Sequence, residues 1–220
     1  MQLSHSFSSI KMFENCPLRY YHQRIAKTVV DQGGEASIHG ERIHKFIEER
    51  LKGTATQEHI EEIKNLEPVI ASIQAVAEGG ELGVERQLTL TAELTPTSWF
   101  AKDAWIRSIL DVSVIKGSTA MVLDWKTGKR RPDWTQLELF ALQVFAHHPK
   151  VTKVTTGFIW TKELVTDKET YHRNGADKLW AKLLTRIHRI EQAAEQDVWP
   201  AKPSGLCNYC PCKSFCEYAH

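Results

Sequence analysis

The sequence predicts an α/β domain, a central mixed β-sheet flanked by helices, and three observations carry that expectation. Residues 111–126, DVSVIKGSTAMVLDWK, place two runs of β-branched and apolar residues around Gly117-Ser118, a two-residue hairpin signal. Residues 151–160, VTKVTTGFIW, have the composition of a buried strand, and the helical pattern before them allows a parallel crossover back to the hairpin. Helical periodicity fills 35–77 and 175–196.

In chain order, residues 4–26 read as two short helices broken at Cys16-Pro17, with Ser6 as N-cap and Phe7, Ile10 and Phe13 at helical spacing. Residues 35–51 put Ile38, Ile43, Phe46, Ile47 and Leu51 on one stripe, with His44 at its edge and Gly53 as the stop. A second helix is expected over 57–77, ending at Gly79-Gly80. Residues 83–90 then form a strand holding Glu85. After a loop around Pro96, residues 104–115 lead into the hairpin, so three strands assemble in sequence. Thr127-Gly128 is a turn, and Asp133 or Thr135 caps a helix to about residue 146 with Leu137, Phe140, Ala141, Val144 and Phe145 on its apolar face. Gln136 stands in the first turn of that helix. Residues 162–171 are an edge strand or loop, and the helix at 175–196 turns Leu179, Trp180, Leu183, Leu184, Ile187 and Ile190 inward.

At 220 residues the chain builds one sizeable core, with no internal repeat and no interdomain linker, so a single domain spanning 1–220 is expected. Within it we expect a helical N-terminal part (about 1–80), a central α/β part (about 81–198) and a cysteine-rich end (about 199–220). No apolar run approaches the roughly 18 residues of a membrane span, and the first residues lack a signal-peptide pattern, so the expectation is a cytoplasmic protein with no membrane partner. With 28 basic and 27 acidic residues there is no global field for nucleic acid, and any such surface must be local. Lys126, Lys129, Arg130 and Arg131, with Arg186, His188 and Arg189 further on, and the aromatic and basic edge of Tyr20, Tyr21, His22 and Arg24, are the candidates; for the tyrosines, core or rim packing is the competing reading.

The hairpin carries the chemistry. If Gly117 and Ser118 form the turn, Lys116 pairs with Thr119, and counting outward brings Asp111 opposite Asp124. Directly opposed residues have Cβ atoms roughly 4.5–5.5 Å apart, where like charges are destabilising unless compensated. A divalent cation is the natural compensation. By strand alternation Lys126 shares the face of Asp124, while Leu123 and Trp125 point to a core.

The tail is the second informative stretch. Cys207, Cys210 and Cys216 give C-x2-C-x5-C, with Cys212 between, and the density of thiols suits zinc or an iron–sulfur cluster. The single residue between Cys210 and Cys212 is awkward for a shared tetrahedral centre.

The lone Asp111 followed by Asp124-x-Lys126 resembles the PD-(D/E)XK nuclease superfamily, and the order of motifs resembles its RecB-type, iron–sulfur branch: AddB-type nuclease domains, CRISPR-associated spacer-acquisition nucleases and small phage homologues. The likeness spans Cys16-Pro17, Gly40-x-x-x-His44, Glu85, Asp111, Asp124 to Gly128, Gln136 with Phe140, and the tail cysteines. It departs from the family where Ser108-Ile109-Leu110 lack the glycine that often precedes the first aspartate, and where Phe140 replaces a tyrosine.

The resemblance implies a restriction-endonuclease-like sheet whose N- and C-terminal ends are joined by a 4Fe-4S cluster on Cys16, Cys207, Cys210 and Cys216. It implies Mg²⁺ or Mn²⁺ on His44, Asp111, Asp124 and the Trp125 carbonyl, with Glu85 supporting a second ion. Lys126 would orient or deprotonate water or neutralise charge, and Gln136 would position Lys126 or DNA. The implied activity is metal-dependent hydrolysis of DNA, by an exonuclease on single strands or ends, with recombination or adaptation proteins as partners. The rival is a non-catalytic iron–sulfur DNA-binding module that keeps the fold.

Overall fold

The computed structural model describes residues 3–218. Five strands, β1 (Glu81–Leu90), β2 (Ile106–Lys116), β3 (Thr119–Lys126), β4 (Lys153–Trp160) and β5 (Val165–His172), lie side by side in chain order. Neighbours run antiparallel except β3 and β4, which are parallel, so the sheet is mixed. The hairpin register is the expected one: Lys116 pairs with Thr119 and the ladder continues to Val112 and Leu123. Gly117 supplies the positive φ of 58° that the turn requires.

Helices α1 (Phe7–Asn15) and α2 (Pro17–Tyr20), the latter continuing as a π-turn over Tyr21–Ile25, open the chain. Ser6 caps α1 in a reciprocal arrangement with Ser9. Helix α3 (Glu35–Lys52) ends at Gly53, whose φ of 74° closes it in the left-handed conformation. The expected single helix over 57–77 is instead two, α4 (Gln57–Glu62) and α5 (Glu67–Ala77), joined by a 3₁₀ turn at Lys64–Leu66. Pro68 explains the break, because it lacks the N–H that would continue the ladder and stands in the first turn of α5. Helix α6 (Trp134–His147) is the crossover between β3 and β4, capped by Asp133, and α7 (Ala176–Gln196) closes the fold.

Two apolar layers hold the sheet. On one side α3, α4 and α5 bury Ile43, Ile47, Ile63 and Ile70 against Val112, Leu123 and Trp125. On the other, α6 buries Leu137, Phe140, Ala141 and Val144 against Leu110, Val122 and Phe158. Outside α6, helices α1 and α7 pack Ile10, Leu183 and Ile187 around Leu90 and Trp105. Ile38, expected on the buried stripe of α3, is 61% exposed, since the first turn of α3 projects past the sheet and Gly40 is the first residue of that helix to be covered. Tyr20 is also a correction: at 1% exposure it stacks on Trp199 beside Phe13, inside the core and out of reach of any DNA.

One irregularity places the site. In β2, Leu110 packs into the α6 layer while Val112, two residues on, packs into the α3 layer; in β1, Leu88 and Val84 divide the same way. Residues of equal parity belong on one face of a regular strand. The pleat therefore switches between them, at Glu85 and Asp111, the two facing positions that the β1–β2 ladder skips. Glu85 takes a left-handed backbone, φ 54°, rare for a side chain this long.

Candidate active site

The switch lets side chains from both layers meet at one edge of the hairpin. From the α3 layer comes His44. Its approach depends on Gly40, one turn earlier, where a Cβ would lie 2.8 Å from Thr127 Oγ1 just after β3. With glycine there, α3 settles against that turn, and the His44 Nδ1 sits 3.4 Å from Asp111 Oδ2. The Trp125 carbonyl faces the same imidazole as a hydrogen-bond acceptor. Ligand atoms of His44, Glu85 and Asp111 all lie within 4.8 Å of one another.

From the α6 layer comes Gln136, whose amide bridges the remaining pair. Its Nε2 donates to Asp124 Oδ1 at 2.8 Å, and its Oε1 accepts from Lys126 Nζ at 3.0 Å. Lys126 also pairs with Asp124 Oδ2 at 2.6 Å. Asp111 is tied to β3 by accepting the Trp125 N–H at 2.8 Å, one step beyond the last ladder pair. The structure thus brings His44, Glu85, Asp111 and the Trp125 carbonyl into one group and Asp124, Lys126 and Gln136 into an adjoining one.

The electrostatics are those of a site short of positive charge. Burial, then the charge of Asp124, pushes the Asp111 carboxyl well above the ordinary carboxylate value. Burial raises Asp124 too, against the pull of Lys126. Glu85 is raised by burial and by Glu48, and burial lowers His44 toward the neutral imidazole that ligates metals. Three crowded carboxyl groups, a neutral imidazole and one lysine are what a hard divalent cation would complete.

Elsewhere the opening helices and the C-terminal tail meet. The Pro200 carbonyl accepts from Leu18 N–H, and Lys202 reaches the Glu14 carbonyl at 2.8 Å. Cys16, Cys207, Cys210, Cys212 and Cys216 line one cavity of about 40 Å³ between them. Cys212 is the buried member, and burial with the neighbouring Cys210 pushes its thiol up to about 12. Among the described residues no three thiols approach as closely as the His44 group does.

The remaining candidates fall apart by pairing. Arg130 is engaged in a two-pronged ion pair with Asp167, while Lys129 and Arg131 are exposed on the loop after β3, and Arg24 is exposed after α2. Sequence reasoning missed Trp99, Arg107 and Ser108, which face a groove beside Gln136; their only local signal was an aromatic in a loop and a basic residue early in a strand.

A profile of the PD-(D/E)XK nuclease superfamily matches residues 4–217. Among solved structures, the "Putative exonuclease" from Eubacterium rectale is 14% identical with a TM-score of 0.55, covering 94% of this chain and 86% of that one. SSO0001 is 13% identical with a TM-score of 0.45, covering 100% of this chain and 88% of the other. No curated protein matches the sequence.

Proposed function

This chain belongs to the PD-(D/E)XK nuclease superfamily, and from that premise we propose that it is a divalent-metal-dependent DNA exonuclease acting on single strands or ends. One observation carries the reading: His44, Glu85 and Asp111 converge within 4.8 Å on the skipped step of the sheet, beside a lysine aligned by Gln136. A non-catalytic module would have no need to keep three repelling acids and a strained Glu85 there. The E. rectale protein of similar fold carries the name "Putative exonuclease", in keeping with the mode proposed.

The donor set fits Mg²⁺ or Mn²⁺: His44, Asp111, Asp124 and the Trp125 carbonyl would hold the ion, with Glu85 serving a second. When bound, the ion supplies activation of water at neutral pH and neutralisation of phosphate charge. The chain's own residues do the rest. Lys126 presents its ammonium where charge develops on the phosphate or where water is held. Gln136 fixes the lysine through the 3.0 Å bond and keeps Asp124 aimed into the site. Buried Leu123 and Trp125 anchor the strand that carries both.

The thiol cavity fits a 4Fe-4S cluster by its donors: Cys16 from the first helices and Cys207, Cys210 and Cys216 from the tail surround one space, with Cys212 buried beside them. The group would tie the chain ends together. The function is tested with linear and circular single-stranded DNA in Mn²⁺. Degradation of linear DNA alone fits an exonuclease. Cutting of the circle would make the enzyme an endonuclease, and intact DNA in both cases would favour the iron–sulfur DNA-binding module.

A further inference from the structure

Beside the metal cluster lies a second groove, of about 480 Å³, that the hydrolytic machinery does not use. It shares Gln136 with the catalytic group and Ile109 with the recess that holds His44, Glu85 and Asp111, so the two spaces adjoin. No aspartate or glutamate lines it among the described residues, in a chain whose charges otherwise balance. Two guanidinium groups do. Arg24 is exposed and forms no ion pair among the described residues; Arg107 donates to Ser4 Oγ at 2.6 Å and to the Trp99 carbonyl at 2.9 Å, which holds its fork over the Trp99 ring.

The floor of the groove points to a ligand. Ser108 is 6% exposed, and its Oγ has no hydrogen-bond partner among the described residues; a hydroxyl taken out of water in this way is destabilising unless something bonds it. The start of α1 opens into the same space. There the Ser9 N–H is taken by Ser6 Oγ, leaving the first amides of the helix to an anion. Trp99 lines the groove under the Arg107 guanidinium, and Phe100, the next residue in the chain, is 90% exposed.

We infer that this groove is a subsite for a backbone phosphate of single-stranded DNA, held by Arg24, Arg107 and Ser108 next to the scissile linkage, with Trp99 and Phe100 stacking the adjoining bases. Guanidinium and hydroxyl donors recognise a phosphodiester, and unpaired bases stack on aromatic faces in a sequence-tolerant way. The subsite rests on the nuclease reading for the identity of its strand. It adds that the substrate is gripped at one fixed distance from the metal site, with Gln136 as the shared wall.

The test is made on Lys126→Ala protein in Mn²⁺, so that binding is read separately from cleavage, with a fluorescent single-stranded oligonucleotide and its duplex. Adding Arg24→Ala should weaken single-strand binding about tenfold and reduce the slope of log K against log salt by about 0.7, the value of one phosphate contact. Ser108→Ala, which removes a hydroxyl with no partner among the described residues, should weaken it in the same direction. In a series of oligonucleotides with one neutral methylphosphonate each, one linkage should matter most, and Arg24→Ala should abolish the extra loss at that linkage.

Unchanged affinity and slope in both variants, equal sensitivity at every linkage, or tighter grip on duplex would overturn the subsite. Millimolar inorganic phosphate that displaces the oligonucleotide, with no linkage standing out, would make it a free-phosphate site instead. Failure of wild-type cleavage would count against the nuclease reading and leave these binding results intact.

Discussion

Replacing Asp111 by asparagine should make the metal-free protein more stable while abolishing activity. The Asp111 side chain is 13% exposed, and its carboxylate comes within 4.8 Å of Glu85 while also feeling Asp124. At an effective dielectric constant of about 20, two like charges at that distance repel by roughly 3 kcal/mol, which partial exposure of Glu85 and protonation of either acid reduce to about 1–2 kcal/mol. Asparagine keeps an oxygen to accept the Trp125 N–H, so the 2.8 Å bond survives the loss of charge. For a chain of this size the gain corresponds to a rise in Tm of about 2–8 °C.

The sign with pH follows from the raised carboxyl. Its folded-state value lies above its unfolded value, so its contribution to stability is fully present below about pH 4 and is lost as pH rises through the folded value. Thermal unfolding in EDTA from pH 5 to 8 should therefore show the wild type losing stability with rising pH and Asp111→Asn losing less. Added Mn²⁺ should raise the wild-type Tm and leave the variant nearly unmoved. A variant no more stable than wild type in EDTA, or equally stabilised by Mn²⁺, would refute this account of the site.

Three further outcomes follow from the same geometry. Lys126→Ala should lower kcat by about 10²–10⁴ while single-strand binding, read by anisotropy, is retained; undiminished cleavage would remove the lysine from the chemistry. Glu85→Gly relieves a left-handed backbone and one of the crowded acids, so urea unfolding without metal should show a gain of about 1 kcal/mol, accompanied by weaker Mn²⁺ binding in calorimetry. Cys16→Ala should bleach the visible absorption of anaerobically purified protein and lower its folded yield; a variant that stays brown would take Cys16 out of the ligand set.

Local pattern was enough for most of the fold. The register of β2 on β3 could be counted from Gly117-Ser118 because a two-residue turn leaves no freedom; the ladder stops at Val112 and Leu123, one step short of the expected pairing of Asp111 with Asp124, and Asp111 instead accepts the Trp125 N–H. Helix α6 and its cap were legible from Asp133 and an apolar face of 3.6-residue period. What escaped depended on packing between distant segments. The exposure of Ile38 reflects where α3 overhangs the sheet, and the burial of Tyr20 depends on Trp199, 179 positions later in the chain. The pleat switch at Glu85 has no signature in composition, since only the ladder's skipped step and a positive φ reveal it. Arg107 and Ser108 acquired meaning only when β2 was placed beside α1 and the end of α2.

The most direct measurement is cleavage of end-labelled linear single-stranded DNA by anaerobically purified protein in Mn²⁺, Mg²⁺ or EDTA, with Asp124→Ala alongside. The account predicts products from the wild type in either metal, none in EDTA, and none from the variant under any condition. Cleavage that persists in EDTA or in Asp124→Ala, or a folded wild type that binds DNA and leaves it intact in both metals, would contradict it.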